Sequence, residues 1–251
     1  MFTEQRTAYN CHMKTNTLSA IRQELRQQAD ARTRESVQSF FKEKVAAYGV
    51  KTAIVAKIAQ KYFPEVRPLG KKEIFALCEE LLESDYTEEA FVAFEWAYRL
   101  RDQYEPSDFV VFERWLEKYV NNWAKCDTLC NHAIGSFVQK YPQFIENLKS
   151  WTGSDNRWLR RAAAATLIIP AKQGEFLEDI FEIADSLLQD KDDLVQKGYG
   201  WMLKEASRTH QKEVYDYVLR NKNLMPRTAL RYAIEKMPPD LRRVAMEKTE
   251  G

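Results

Sequence analysis

From Thr17 almost to its end the chain reads as one helical segment after another, and nowhere does it alternate as a half-buried strand would. Leu18, Ile21 and Leu25 make one apolar stripe, and Val37, Phe40, Phe41 and Val45 make a second over 36–47. Gly49 reads as a helix C-cap. Thr52 then opens a helix through Ile54, Ile58 and Tyr62, and 64–70 reads as a loop. Further helices are predicted over 71–83, 87–100, 106–119, 126–137, 142–151, 155–169, 175–189, 192–207, 212–221 and 226–236. Only 8 glycines and 8 prolines are present, too few to punctuate many short strands. Amphipathic helices joined by short turns bury their stripes by stacking hairpin on hairpin. The expected fold is all-α, a HEAT-like α-solenoid of antiparallel helical hairpins.

A single such domain is expected over 15–251, behind a flexible tail over 1–14, because the first twelve residues are polar and aperiodic. They hold no apolar core of a secretion signal, and no run approaches the roughly 20 apolar residues of a membrane span. The expectation is a cytoplasmic protein with no membrane partner. Cys11, Cys78, Cys126 and Cys130 lack the spacing of a disulfide framework. A formal net charge of +1 supplies no global attraction to nucleic acid. Any phosphate binding must come from positive charge gathered on one surface.

The most telling stretch runs from Ser154 to Ala165. Ser154, Asp155 and Asn156 can each accept from the free N–H groups of a helix start, and Trp158 and Arg161 share a face of the helix they open. Its opening pattern (polar start, apolar pair, polar pair, small residue) returns at 191–198, which sets Lys197 36 residues after Arg161. Asp127 lies 34 residues before Arg161. Both steps approach the ~40-residue period of HEAT-like units. Equivalent positions of stacked repeats fall side by side, so Asp127, Arg161 and Lys197 should form a row. Trp123, Trp158 and Trp201 each lie within one helical turn of a member of that row.

A carboxylate set among indoles can stabilise a developing cation, and an arginine and a lysine can hold phosphates as a fork and a point charge. Trp123 and Trp201 can press on a sugar or base. Against these stand plainer readings: an Asp127–Arg161 ion pair, Lys197 on a solvated face, and tryptophans packed in a core. Cys126, Cys130 and His132 do not make a zinc site, since structural zinc wants four ligands and no second pair appears. No glycine-rich phosphate loop or dinucleotide fingerprint occurs, so no cofactor is expected.

Three segments, Trp123-x-x-x-Asp127, Asp155-Asn156-x-Trp158-Leu159-x-Arg161-Ala162-Ala163 and Gln196-Lys197-Gly198-x-Gly200-Trp201-x-Leu203-Lys204-Glu205, resemble the marker segments of the AlkD-type DNA alkylation repair glycosylases. Phe40-Phe41-Lys42 and Tyr48-Gly49-Val50-Lys51-Thr52 resemble that family's N-terminal stretch, and the likeness spans about 17–240. The resemblance implies a C-shaped solenoid whose concave face grips duplex DNA containing alkylated bases, acting as a monomer. Members excise purines made cationic by N3 or N7 alkylation, such as 3-methyladenine and 7-methylguanine, without flipping them into a pocket. By the same resemblance Asp127 would be the catalytic carboxylate, with Trp123 and Trp201 against the lesion's deoxyribose. Arg161 and Lys197 would hold the DNA. Two other classes stay open: a solenoid that binds DNA structure without turnover, and a scaffold whose groove takes a protein partner.

Overall fold

The computed structural model describes residues 16–247, and the tail expected over 1–14 lies outside them. Every regular element among the described residues is helical. The chain divides into two compact units at the Glu105–Pro106 bond.

In the first unit, helix α1 (16–27) buries Leu18, Ile21 and Leu25, as its stripe predicts. The next helix, α2, departs from expectation. It spans Ala31–Ser39 and not 36–47, and it starts where the Asp30 carboxylate accepts from Thr33 N–H at 2.7 Å. It buries none of its residues, and Phe40 beyond it is 69% exposed. The chain from 41 to 51 is irregular because its backbone is claimed from elsewhere. The buried Glu88 carboxylate accepts from the N–H groups of Tyr48, Gly49 and Val50 at 3.0, 2.8 and 3.0 Å. Gly49 does take a left-handed φ of 89°, but no helix ends there. A Cβ at that position would lie 2.6 Å from the Asp30 carbonyl oxygen.

Helix α3 (Thr52–Val66) passes through Pro64, where a loop was expected. Proline in the last turn forfeits a single hydrogen bond, and the buried pair Tyr62 and Val66, four residues apart, keeps that turn packed. Helices α4 (Lys71–Leu82) and α5 (Thr87–Arg99) pack against each other, and α3 packs on α5. The first turn of α5 carries both Glu88 and Glu89; Glu89 takes the Tyr48 hydroxyl at 2.6 Å and Arg22 at 2.9 Å.

The second unit opens with α6 (Asp108–Tyr119), whose apolar face is the one the spacing predicts: Phe109, Phe112, Trp115, Leu116 and Tyr119 are all buried. Next comes a continuous helical rod from Trp123 to Lys140. It consists of α7 (Trp123–Thr128), a π-helical segment (Leu129–Ile134) and α8 (Gly135–Lys140). The rod begins three residues before the predicted start because the Asn122 side chain accepts from Lys125 N–H at 2.9 Å. Beyond it come α9 (Ile145–Trp151), α10 (Arg157–Ala165), α11 (Ile168–Gln173), α12 (Leu177–Ser186), α13 (Asp193–Ala206), α14 (Gln211–Asn221) and α15 (Arg227–Ala233). The last helix, α16 (Pro239–Met246), has no counterpart among the predicted segments; Pro238 sets its N-cap and Pro239 its first turn.

Helices α7, α10, α13 and α15 pack one upon the next in that order. Behind them α9 touches α10, while α12 and α14 touch α13. This two-layer progression is that of a helical solenoid. Two glycines set the spacing around α13. A Cβ on Gly198 would lie 3.4 Å from Arg161 Cγ of α10, an ordinary contact. A Cβ on Gly200 would lie 2.7 Å from both the Ala229 carbonyl oxygen and Tyr232 Cβ of α15. Gly200→Ala should therefore destabilise the protein by about 1–3 kcal/mol through overpacking. Gly198→Ala should fall within about 1 kcal/mol of wild type, since alanine also gains in helix propensity. Urea denaturation of the two variants side by side checks the contrast.

Candidate functional site

Helices α7 and α10 bring Asp127 and Arg161 together, each from about one turn into its helix. Asn156 caps α10, its side chain accepting from Trp158 N–H at 2.9 Å, so Arg161 emerges one turn into the helix. The helix buries Ala162, Ala163, Ala164 and Ala165 completely, and these small residues let α10 sit close to its neighbours. Asp127 stands at the matching point of α7, one turn after the first residue, Trp123.

There the two side chains form a fork-on-fork ion pair. Arg161 Nε donates to Asp127 Oδ1 at 2.8 Å, and Nη2 donates to Oδ2 at 2.7 Å. A third guanidinium nitrogen, Nη1, donates to the carbonyl of Leu194 in α13, which ties three successive helices at one point. Asp127 is 8% exposed and Arg161 5%. Burial by itself would lower the guanidinium's pKa. The charge of Asp127 and the hydrogen bonds to it more than offset this, so Arg161 is held above its ordinary value and stays charged. With both carboxylate oxygens bonded to a planar fork, the orientation of Asp127 is fixed.

The expected row is realised for Asp127 and Arg161. Lys197 instead pairs with Asp193 at 3.3 Å within its own helix, and the contact from Arg161 reaches Leu194, one turn before it. Trp123, Trp158 and Trp201 are all half-buried. Trp201 lies three residues after Gly198, which faces Arg161, so the indole continues that face of α13 by one turn. Trp158 turns to other partners: its carbonyl accepts from the Cys126 thiol at 3.6 Å, and the Arg157 guanidinium lies 5.5 Å from its ring centre. Lys204 places its ammonium 5.8 Å from the Trp201 ring centre and 5.7 Å from that of Tyr232.

Several contributors lay beyond the sequence reading. Gly198 and the Leu194 carbonyl receive Arg161, and neither has a side-chain signature. Asp190 and Asp192 anchor Arg160 and Arg157 at 2.7 Å each, which steadies the start of α10 on the turn before α13. Cys126 and Cys130 are fully buried; desolvation, then the hydrogen bond between them, pushes the Cys126 thiol well above its ordinary pKa. That is the opposite of what a metal-binding thiolate needs. Among the described residues no group of three or more His, Cys, Asp or Glu side chains could hold a metal ion. None of the described helices is long and apolar enough to cross a membrane.

Comparison with known proteins bears on the fold and the family. No curated protein matches the sequence. Among solved structures, one described as a predicted DNA alkylation repair enzyme from Enterococcus faecalis shares the fold, with a TM-score of 0.75 at 16% identity. The alignment covers 84% of this chain and 98% of that one. A family model described as DNA alkylation repair enzyme matches residues 21–237, a span that takes in most of each unit and both Asp127 and Arg161. The all-helical solenoid and this match together place the chain in the DNA alkylation repair enzyme family.

Proposed function

We propose that the protein is a monofunctional DNA glycosylase that hydrolyses the N-glycosidic bond of cationic alkylated purines in duplex DNA. The observation that carries this reading is the Asp127 carboxylate, fixed by Arg161 on two oxygens, with Trp123 one turn before it on α7 and Trp201 one turn beyond Gly198, the residue of α13 that faces Arg161. A purine alkylated at N3 or N7 is already a good leaving group. The enzyme has only to favour the positive charge that grows on the deoxyribose as the bond breaks. An oriented carboxylate does so without reorganising, and indole faces add cation–π attraction. Asp127 can also orient the attacking water. A cationic base leaves without help from a lysine–sugar adduct, so water attacking the sugar is enough. Half-buried tryptophans can meet the sugar of a stacked nucleotide, so the base need not be flipped out. Arg161 and Lys197 are assigned to the DNA backbone, Arg161 through the guanidinium hydrogens left over from its bonds to Asp127 and Leu194.

One feature favours a second reading. Both oxygens of Asp127 are occupied by Arg161, as in a purely structural pair. A DNA-structure binder without turnover would need nothing more. Incubation with methylated duplex DNA separates the two: free 7-methylguanine and abasic sites in unbroken strands are expected. Trp123→Ala and Trp201→Ala should each slow release by about 3- to 30-fold, the range of a desolvated cation–π contact. DNA binding with no base released would establish the second reading instead.

A further inference from the structure

The charges of this nearly neutral chain are sorted along the second unit. Residues 175–193 hold eight acids against one lysine, whereas 220–246 hold seven basic residues against two acids. Within the basic region α15 and α16 enclose an open groove of about 390 Å³, lined by Arg231, Ile234, Glu235, Pro239, Arg242, Arg243 and Met246. All three arginines are exposed. The side chains of Arg231 and Arg242 make no hydrogen bond or ion pair with any described residue. The one acid of the lining, Glu235, is drawn off to Lys204 at 3.3 Å and lies 3.9 Å from Lys236. Arg243 meets Glu247 at 3.2 Å in a pair whose members are both largely exposed, a contact of little strength in water. The groove therefore presents guanidinium forks over a short apolar floor, and the one carboxylate in its lining, Glu235, is turned to lysines.

We infer that this groove is a second DNA contact, which holds backbone phosphates of the duplex away from the lesion. This rests on the reading of duplex DNA as the substrate. The position in the fold supports it. Helix α15 is the next member of the row α7, α10, α13, and Tyr232, beside Arg231, packs its Cβ against Gly200. Packed helices lie about 8–10 Å apart, so α15 stands two spacings, some 16–20 Å, beyond the helix of Arg161. A DNA strand advances about 3.4 Å per nucleotide, which puts the groove roughly five nucleotides along from the residue at Arg161. Guanidinium forks match phosphate oxygens and carry no sequence information, as a damage enzyme working at any sequence requires.

Salt-titrated binding of an unmodified duplex of about 20 base pairs tests this, because each phosphate held contributes about 0.9 to the slope of log K against log salt. Arg231→Gln/Arg242→Gln is compared with wild type and with Lys172→Gln/Lys191→Gln, a charge-matched control at exposed positions outside the groove. The groove variant is expected to flatten the slope by about 1.8, so that the affinity lost between about 50 and 200 mM salt shrinks roughly tenfold. Arg231→Lys/Arg242→Lys should restore most of the slope, and the control should keep it. An unchanged slope in the groove variant, equal flattening in the control, or a wild type that does not bind duplex DNA overturns the inference. Unmodified DNA carries no lesion, so the outcome is independent of base release. A protein that binds with the expected slope change yet frees no base keeps the groove and loses the glycosylase.

Discussion

Asp127→Asn is expected to cut the single-turnover release of 7-methylguanine by about 100- to 1000-fold, the usual loss when one preorganised electrostatic group is removed from a reaction centre. Duplex affinity should change by only a few fold, because the carboxylate repels phosphate and contributes nothing to holding it. The substitution keeps shape and removes charge, so what is lost is the attraction to a cationic sugar. It also leaves the guanidinium of Arg161, 5% exposed, with a neutral partner. Breaking a buried pair costs about 3–5 kcal/mol when one side is removed outright. Asparagine, which still offers one oxygen to Nε or Nη2, should cost less. Release is therefore measured well below the variant's own melting temperature, with the folded fraction taken from a thermal melt. Release within threefold of wild type from fully folded protein would remove Asp127 from the chemistry.

Glu88→Ala should produce the largest loss of stability, about 3–5 kcal/mol, because it leaves several buried donors without partners at once. The carboxylate bonds three consecutive backbone N–H groups, those of Tyr48, Gly49 and Val50, at 2.8–3.0 Å. No other group on that turn can replace it, since its neighbour Glu89 is engaged by the Tyr48 hydroxyl and Arg22. Urea denaturation gives the loss, and amide exchange at 48–50 shows whether it is local: those three amides should lose protection first. A change below about 1 kcal/mol would mean that the segment is held by its side chains and not by Glu88.

That same carboxylate shows why part of the first unit was illegible from sequence. The apolar spacing over 36–47 suits a helix, and nothing nearby in the chain argues against it. What competes with it is a glutamate 40 residues downstream, whose bonds to the backbone of 48–50, with Thr87 N–H on the Ala46 carbonyl, fix this stretch in an irregular path. In α6 no such long-range claim intervenes, and its five apolar positions are buried as the periodicity requires. The π segment from Leu129 to Ile134 left no mark in the spacing either. A π turn shifts the helical phase of the turns on one side of it relative to those on the other. Here Gly135 lets the rod lie close to α10, with a Cβ there only 3.1 Å from the carbonyl oxygens of Cys130 and Thr166.

The site divides along similar lines. A repeat of 34 residues was enough to set Asp127 opposite Arg161, because stacked helices bring equivalent positions into register. The next step of 36 residues pointed to Lys197, but the guanidinium reaches α13 one turn earlier, at Leu194. A backbone carbonyl has no residue type to read, and the room made by Gly198 is visible only once both helices are in place. The groove between α15 and α16 was hidden for a different reason. Its arginines were diluted in a net charge of +1, and one of its walls is a helix the apolar pattern did not reveal.

Asp127, held by Arg161, is proposed to face the sugar of the damaged nucleotide. A structure of the Asp127→Asn variant bound to duplex DNA carrying 7-methylguanine tests it directly. The side-chain oxygen at position 127 is expected within about 3.5 Å of the lesion's anomeric carbon or of a water in line with it, the separation of reacting atoms, with Trp123 and Trp201 against the same deoxyribose. A duplex bound with that sugar remote from position 127, and the side chain still closed onto Arg161, would contradict it.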